Sequence, residues 1–251
     1  MRTEAGRVSD DGVWRIGSAF PWGGKGSGFD SHHPDHEKRS LSAVVFLFPL
    51  LVCYTSGMTE VAADLMQRIR QRPPARLLTD WFPRLDAHGG IALDLGCGSG
   101  AEAEYLAKNG FMVDAIDKSD AAIAYTTQRC QGLTVDAISG DFREFTLRPN
   151  YYAIAVAINS LPFLKKDECR ALLERVQASL KPGGAVVVGV YGPEHAWSRR
   201  ADMSFWTVEE FKSLWEGWEI LNINEYKGPW PLVSGEDIFQ HRIHLVAKKP
   251  Q

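Results

Sequence analysis

The chain has 251 residues, of which 45% are hydrophobic and 24% charged, and its formal net charge is -3. That balance suits a soluble globular α/β domain with an appendage, long enough to bury a core without covalent staples. It excludes a nucleic-acid binder working through a broad basic surface. Cys53, Cys97, Cys130 and Cys169 stand far apart with no C-x-x-C pair, so neither a zinc site nor a disulfide framework is expected, and a reducing cytoplasm is the default location. The cluster "HHPDH", His32 to His36, reads as a polar segment with nothing nearby to hold metal ligands in geometry.

Residues 1–57 differ in character from the rest. "FPWGGKGSGFDSHHPDHEKRS" is rich in Gly, Pro, Ser and His without a sustained period, which reads as loop or disorder. The apolar run "LSAVVFLFPLLVCY", Leu41 to Tyr54, leaves three readings open. A membrane span needs about 20 apolar residues, and Pro49 interrupts this one. A signal peptide would have a shorter polar lead and an A-x-A site. In the third reading residues 1–57 are an N-terminal extension, loosely packed or disordered, and Met58 is an alternative start. The domain is then expected at 58–251, with no stable membrane association.

From Met58 the pattern is regular. "TEVAADLMQRIR" spaces Val61, Leu65, Met66 and Ile69 as a helix with Thr59 as cap, ended by Pro73 and Pro74. A second helix is predicted over Arg76 to Leu85. Strands are predicted at Ile91–Leu95, Phe111–Ile116, Leu133–Ile138, Tyr152–Ile158 and Ala185–Tyr191. Helices fall between them at Ala101–Asn109, Ser119–Cys130 and Lys166–Leu180. The strands lack polar alternation, as expected when helices cover both faces of a parallel sheet. After a helix near Thr207 to Leu214, "WEILNINEY" and "FQHRIHLVAKK" follow with only a loop between them, which predicts an antiparallel pair. The expected fold is therefore α/β: a doubly wound seven-stranded sheet, mostly parallel, with one antiparallel strand in its edge region.

The motif that carries function is "IALDLGCGSG", Ile91 to Gly100. Its three glycines let the backbone turn sharply and approach a ligand, and the helix behind them offers free N–H groups. Gly96-x-Gly98-x-x-Ala101 with Asp117 also satisfies a dinucleotide fingerprint. Against that, Asp94 two residues before the first glycine would repel a pyrophosphate and attract a cationic ligand. Asp117 ends the second strand, where a carboxylate can accept ribose hydroxyls. "SGDFREF" sets Asp141 and Phe142 after the third strand, and "LKPGG", Leu180 to Gly184, is read as a helix stop and turn before the fifth.

Together "LDLGCGSG", "AIDKS", "GDF" and "LKPGG" resemble the motifs of the class I S-adenosylmethionine-dependent methyltransferases, whose Rossmann-like sheet also ends in a reversed strand. The resemblance runs from about Arg76 to the end of the chain. It implies S-adenosylmethionine as cofactor, with Asp94, Gly96, Cys97, Gly98, Ser99 and Gly100 along its methionine and ribose portion. Asp117 and the adjacent Lys118 would lie at the ribose, Asp141 and Phe142 at the adenine, and Asn159 with Ser160 beside the amino-acid moiety. "LPFLKKDECRALLERVQASLKPGG" and the tail from Ser204 look like small bacterial methyltransferases of the tellurite-resistance type. That likeness implies a small-molecule acceptor such as a thiol or a chalcogen oxyanion.

Methyl transfer from a sulfonium is an in-line displacement governed by alignment, and a base is needed only where the attacking atom carries a proton. Ligands of open α/β sheets sit at the carboxyl ends of the strands. Three loops are expected there: Asn159–Lys165, Gly192–Phe205 and Tyr226–Ile238. The middle one supplies His195, Trp197, Arg199 and Arg200. Either His195 or His241 is expected as orienter or base, with Trp197, Arg199 and Arg200 facing an anionic acceptor. Trp81 is expected to close over the cofactor or to pack in the core. The competing readings are a nicotinamide-dependent oxidoreductase, which lacks a Tyr-x-x-x-Lys here, and a non-catalytic binding module. Partners are expected to be a small acceptor and no nucleic acid, with the chain a monomer or homodimer.

Overall fold

The computed structural model describes residues 67–232 and 235–251. The readings made for residues 1–57, the Met58 start and most of the first predicted helix lie outside the described residues; residues 67–71 of that helix are helical.

Seven strands form one sheet: β1 (Gly90–Leu95), β2 (Phe111–Asp117), β3 (Val135–Ser139), β4 (Tyr152–Ala157), β5 (Leu180–Tyr191), β6 (Glu219–Pro231) and β7 (Asp237–Lys248). Their order across the sheet is β3-β2-β1-β4-β5-β7-β6. The first five pair in parallel, and β7 runs antiparallel to both β5 and β6. The expected doubly wound sheet with one reversed strand in its edge region is therefore observed. Besides the helical residues 67–71, the described residues form the helices α1 (Arg76–Trp81), α2 (Ala101–Lys108), α3 (Asp120–Arg129), α4 (Lys166–Ser179) and α5 (Val208–Ser213).

Helix starts follow local chemistry. The Ser119 hydroxyl accepts from the Ala122 N–H ahead of α3. At α5, Thr207 and Glu210 each accept from the other's backbone N–H, a reciprocal pairing that satisfies two orphan donors. Two apolar layers flank the sheet. One gathers Leu93, Leu95, Val186, Val188, Ile243 and Leu245 beneath α4, with Trp206, Phe211 and Trp215. The other gathers Ala92, Val156, Val187 and Val246 with Leu78, Leu106 and Phe111. Trp81 packs against the second layer with Arg84 over its ring at 4.8 Å. Among the described residues, no helix is long and apolar enough to cross a membrane.

Two local readings need correction. "LKPGG" does not stand as a turn outside the sheet: it begins β5, with Tyr152 paired to Leu180 and a register shift before Ile154. The stretch from Tyr226 to Ile238 is largely strand, since Lys227 to Pro231 pair with His241 to Asp237. Pro229 and Pro231 signalled a loop, but β6 is the edge of the sheet, and an edge tolerates residues that donate no ladder hydrogen bond.

Candidate functional site

β1 and β4 are adjacent while their onward connections run to opposite halves of the sheet. That reversal opens a crevice at their carboxyl ends, the usual ligand position in such sheets. The glycine turn lies there. A Cβ on Gly96 would come within 2.4 Å of the Ser160 Cβ and 3.6 Å of the Phe142 ring. One on Gly100, at φ +73°, would come within 3.0 Å of Thr126 on α3. Glycine at these two positions lets the turn nest between the β4 loop and α3.

Polar side chains converge on this turn. The Asp117 carboxylate accepts from the Gly98 N–H at 3.0 Å and from the Ser119 N–H at 2.9 Å, so it braces the turn from β2. Lys118 is exposed. Asp94 is buried, and its Oδ2 has no hydrogen-bond partner; the Oγ atoms of Ser99 and Ser160 are likewise buried and unpartnered. Burial, then the Glu102 carboxylate, holds the Asp94 carboxyl well above the usual range, with Arg72 opposing. Glu102 is buried at the start of α2, where it accepts from both arms of Arg72 and, at 2.9 Å, from the Ala75 N–H. Neither Arg72 nor Glu102 stood out in the sequence. An acidic residue in the first turn of a helix after a glycine bend is the one signal that pointed to Glu102.

Cys97 is buried with its Sγ 3.4 Å from the Thr126 hydroxyl. Burial pushes its thiol up, so it is no thiolate nucleophile. Phe142 lies half-buried beside the turn, while the Asp141 carboxylate is gripped by Arg143 at 2.9 Å and held below the usual range by it. Asn159 is exposed in a left-handed conformation at φ +61°, and such strain in a non-glycine residue concentrates at functional sites. It hands the chain from β4 to the buried Ser160.

A second group surrounds the carboxyl end of β5. His195 stacks on Tyr191 with centroids 4.0 Å apart and planes 11° apart. Its Nδ1 accepts from the Trp197 N–H at 3.1 Å, and its Nε2 is buried and unpartnered. Burial lowers its pKa to about 4, with Arg242 adding to the effect. At neutral pH the ring is uncharged with its proton on Nε2, so it donates there. His241 lies on the opposite face of β7 from His244, as alternation predicts. Its Nδ1 accepts from the Glu194 N–H and its Nε2 faces Glu225 at 2.6 Å. Both ring nitrogens are thus engaged within the protein. Glu225 lies on the neighbouring strand β6, and it could not be placed beside His241 before the register was known.

Of the predicted acceptor residues, Trp197 packs near the rings of His195, at 5.1 Å, and Phe163, at 6.4 Å. Arg199 is exposed, and Arg200 is paired with Asp202. A further arginine, Arg242, stands directly opposite Tyr191 on β5 and Tyr226 on β6.

Residues 92–184 match a family described as a methyltransferase domain. Among solved structures the chain resembles TehB from Haemophilus influenzae, at TM-score 0.59 and 21% identity over 69% of this chain and 61% of that one. It also resembles a Haemonchus contortus phosphoethanolamine N-methyltransferase in complex with S-adenosyl-L-methionine, at TM-score 0.55 and 18% identity over 69% and 52%. The sheet order is that of the class I methyltransferase fold, and the matched segment runs from β1 through the glycine turn to the start of β5. Within that class it bears the likeness to TehB-type proteins expected from its tail: a TehB from Haemophilus influenzae is 26% identical over 54% of this chain and 48% of its own length. A cypemycin N-terminal methyltransferase from a Streptomyces species is 32% identical over 42% and 43%. The chain spans about half the length, or less, of these curated relatives.

Proposed function

We propose that the chain transfers a methyl group from S-adenosylmethionine to a small-molecule acceptor, with a thiol or chalcogen oxyanion as the preferred acceptor class. The single observation that carries the reading is the buried Asp94 carboxylate, whose unpartnered oxygen borders a glycine turn at the sheet's switch point. An anionic pocket of this kind costs folding energy unless a cation meets it, and it is hostile to a pyrophosphate. The donor set fits the cofactor. Asp94 and the Ser99 and Ser160 hydroxyls supply unspent acceptors and donors, and Asp117 retains lone pairs beyond its two backbone bonds for ribose hydroxyls. Phe142 offers a ring beside the turn, and Gly96, Cys97, Gly98 and Gly100 offer backbone. Asp141, Lys118 and Asn159 complete the rim.

When bound, the cofactor supplies an electrophilic methyl group and a neutral thioether leaving group. The protein's part is alignment and exclusion of water. Asp94 attracts positive charge, Asp117 fixes the sugar, and the Asn159–Ser160 bend sets the depth of the methionine portion. An acceptor that attacks as an anion leaves no proton to remove, which agrees with the absence of a free imidazole base among the described site residues. The names of the relatives favour methyl transfer, and the TehB likeness favours a soft acceptor of the tellurite type.

The test is calorimetric titration of the full chain with S-adenosylhomocysteine, S-adenosylmethionine and NADH, followed by transfer assays with thiol, selenite and tellurite acceptors. The nucleosides should bind and NADH should not. Asp117→Ala should weaken S-adenosylhomocysteine roughly a hundredfold, the size expected for losing charge-assisted hydrogen bonds. Binding of NADH alone, or unchanged affinity in Asp117→Ala, overturns the cofactor assignment. Transfer only to protein or RNA overturns the acceptor class.

A further inference from the structure

We propose that Arg242, with the Nε2–H of His195 and the rings of Tyr191 and Trp230, forms the seat for an anionic group on a flat, apolar methyl acceptor. The inference rests on the methyltransferase reading and names the chemistry its acceptor must carry.

Sheet register places this group. Asp94, Val156, Val187 and Val246 pair in one row across β1, β4, β5 and β7. Opposed residues in a sheet share a face, and so do residues two apart on a strand. Arg242 therefore lies on the face of Val246, and Tyr191 on the face of Val187. Both are displaced toward the carboxyl end of β5, on the same side of the sheet as the Asp94 carboxylate. An acceptor held there sits on the side from which a methyl group at the glycine turn can be reached.

The partners of Arg242 set it apart. Arg72, Arg129 and Arg200 each meet a carboxylate, and Arg175 meets two backbone carbonyls. Arg242 is half-buried, and among the described residues the one hydrogen bond of its side chain runs to the neutral amide oxygen of Gln240, with the Trp230 ring 6.0 Å from its guanidinium carbon. Beside it, the His195 Nε2–H is a buried donor with nothing to donate to. A half-buried cation without a counter-charge next to an unpaired buried donor is costly, and an anion accepting from both relieves each cost at once. Burial lowers the pKa of both groups; the Arg242 charge lowers that of His195 further, while Tyr191 and Tyr226 oppose the shift at Arg242. The surrounding rings supply the rest: Tyr191 stacks on His195, and Trp230, 48% exposed, packs edge-on to Tyr226 at 5.5 Å. Such faces accept a flat apolar body.

The test uses the full chain saturated with S-adenosylhomocysteine, titrated with 2-mercaptobenzoate and with its neutral isostere 2-mercaptobenzamide. The carboxylate should bind roughly tenfold more tightly, as one charge-assisted contact provides. That ratio should fall to about one in Arg242→Met, stay partly retained in Arg242→Lys, and shrink in His195→Phe, which keeps the ring stack and removes the donor. S-adenosylhomocysteine affinity equal to wild type in each variant certifies that it is folded. Equal binding of the two probes by wild type, absence of saturable binding of the carboxylate, or an unchanged ratio in Arg242→Met overturns the proposal. If wild type fails to bind S-adenosylhomocysteine, the methyltransferase reading falls; if it binds the nucleoside but does not distinguish the probes, the acceptor seat alone falls.

Discussion

The carboxyl ends of β1 and β5 make opposite electrostatic environments. At β1 the buried groups are acidic: Asp94, Glu102 and the half-buried Asp117 converge on one turn, and a single arginine, Arg72, answers them. At β5 the groups are basic or neutral: Arg242 has no carboxylate among the described residues, and His195 and His244 are held uncharged by burial. Both ends store electrostatic cost that a folded domain would ordinarily eliminate. Retaining acid at one end and base at the other is the arrangement that suits a cationic donor meeting an anionic acceptor.

The comparison can be broken most forcefully at Arg72. Its side chain is partly exposed while that of Glu102 is buried, so Arg72→Met leaves a buried carboxylate facing Asp94 without compensation. Chemical denaturation should show a loss of about 3 kcal/mol, as for other broken buried pairs. A loss below about 1 kcal/mol would mean that the acidic end is relaxed by water.

The basic end answers to pH. His195 and His244 have pKa values lowered from 6.5 to about 4, so the unfolded chain takes up protons in that window before the folded one does. Stability contributed by the neutral rings is fully present above pH 6.5 and is lost as pH falls toward 4. Thermal melts should show that decline, on the order of 2 kcal/mol per ring, and His195→Phe should flatten its share. Asp94 runs the other way. Its raised pKa means that stability present at low pH is lost as pH rises through the carboxyl's folded value.

The steric side of the turn is sharpened by two alanines. Gly100→Ala forces a Cβ to within 3.0 Å of Thr126 at φ +73°, whereas Gly110→Ala meets nothing within 4 Å at φ +90°. The first should cost about 2 kcal/mol and the second about 1, the difference being contact added to backbone strain. Equal losses in urea unfolding would show that α3 yields freely. Smallest of all, Arg199→Ala should change stability and probe binding by less than about 0.5 kcal/mol, since that side chain is exposed.

What could be read in advance follows from how far apart the interacting residues lie. The sheet, its reversed strand and the glycine turn were legible because each is written in consecutive residues: apolar runs, a Gly-x-Gly-x-Gly bend, an acidic strand end. Arg72 and Glu102 are 30 residues apart, and no local pattern joins them. Arg199 and Arg200 were noticed because they sit in an evident loop, while Arg242 hides inside a strand and acquires its neighbours only through the β5–β7–β6 register. The partner of His241 was out of reach for the same reason, since its ring meets Glu225 across a strand pair. The prolines of β6 suggested a loop where hydrogen bonding to β7 on one side alone sufficed.

Those prolines have a further effect. Among the described residues β6 is the last strand at its margin of the sheet, and a free flank invites a second chain to zip on and polymerise. Pro229 and Pro231 withhold two amide hydrogens from that flank, and the irregularity between Ile220 and Asn222 disturbs its spacing. At the far side β3 offers only five residues. Short length at one margin and prolines with a register shift at the other are features that blunt a sheet against end-to-end growth.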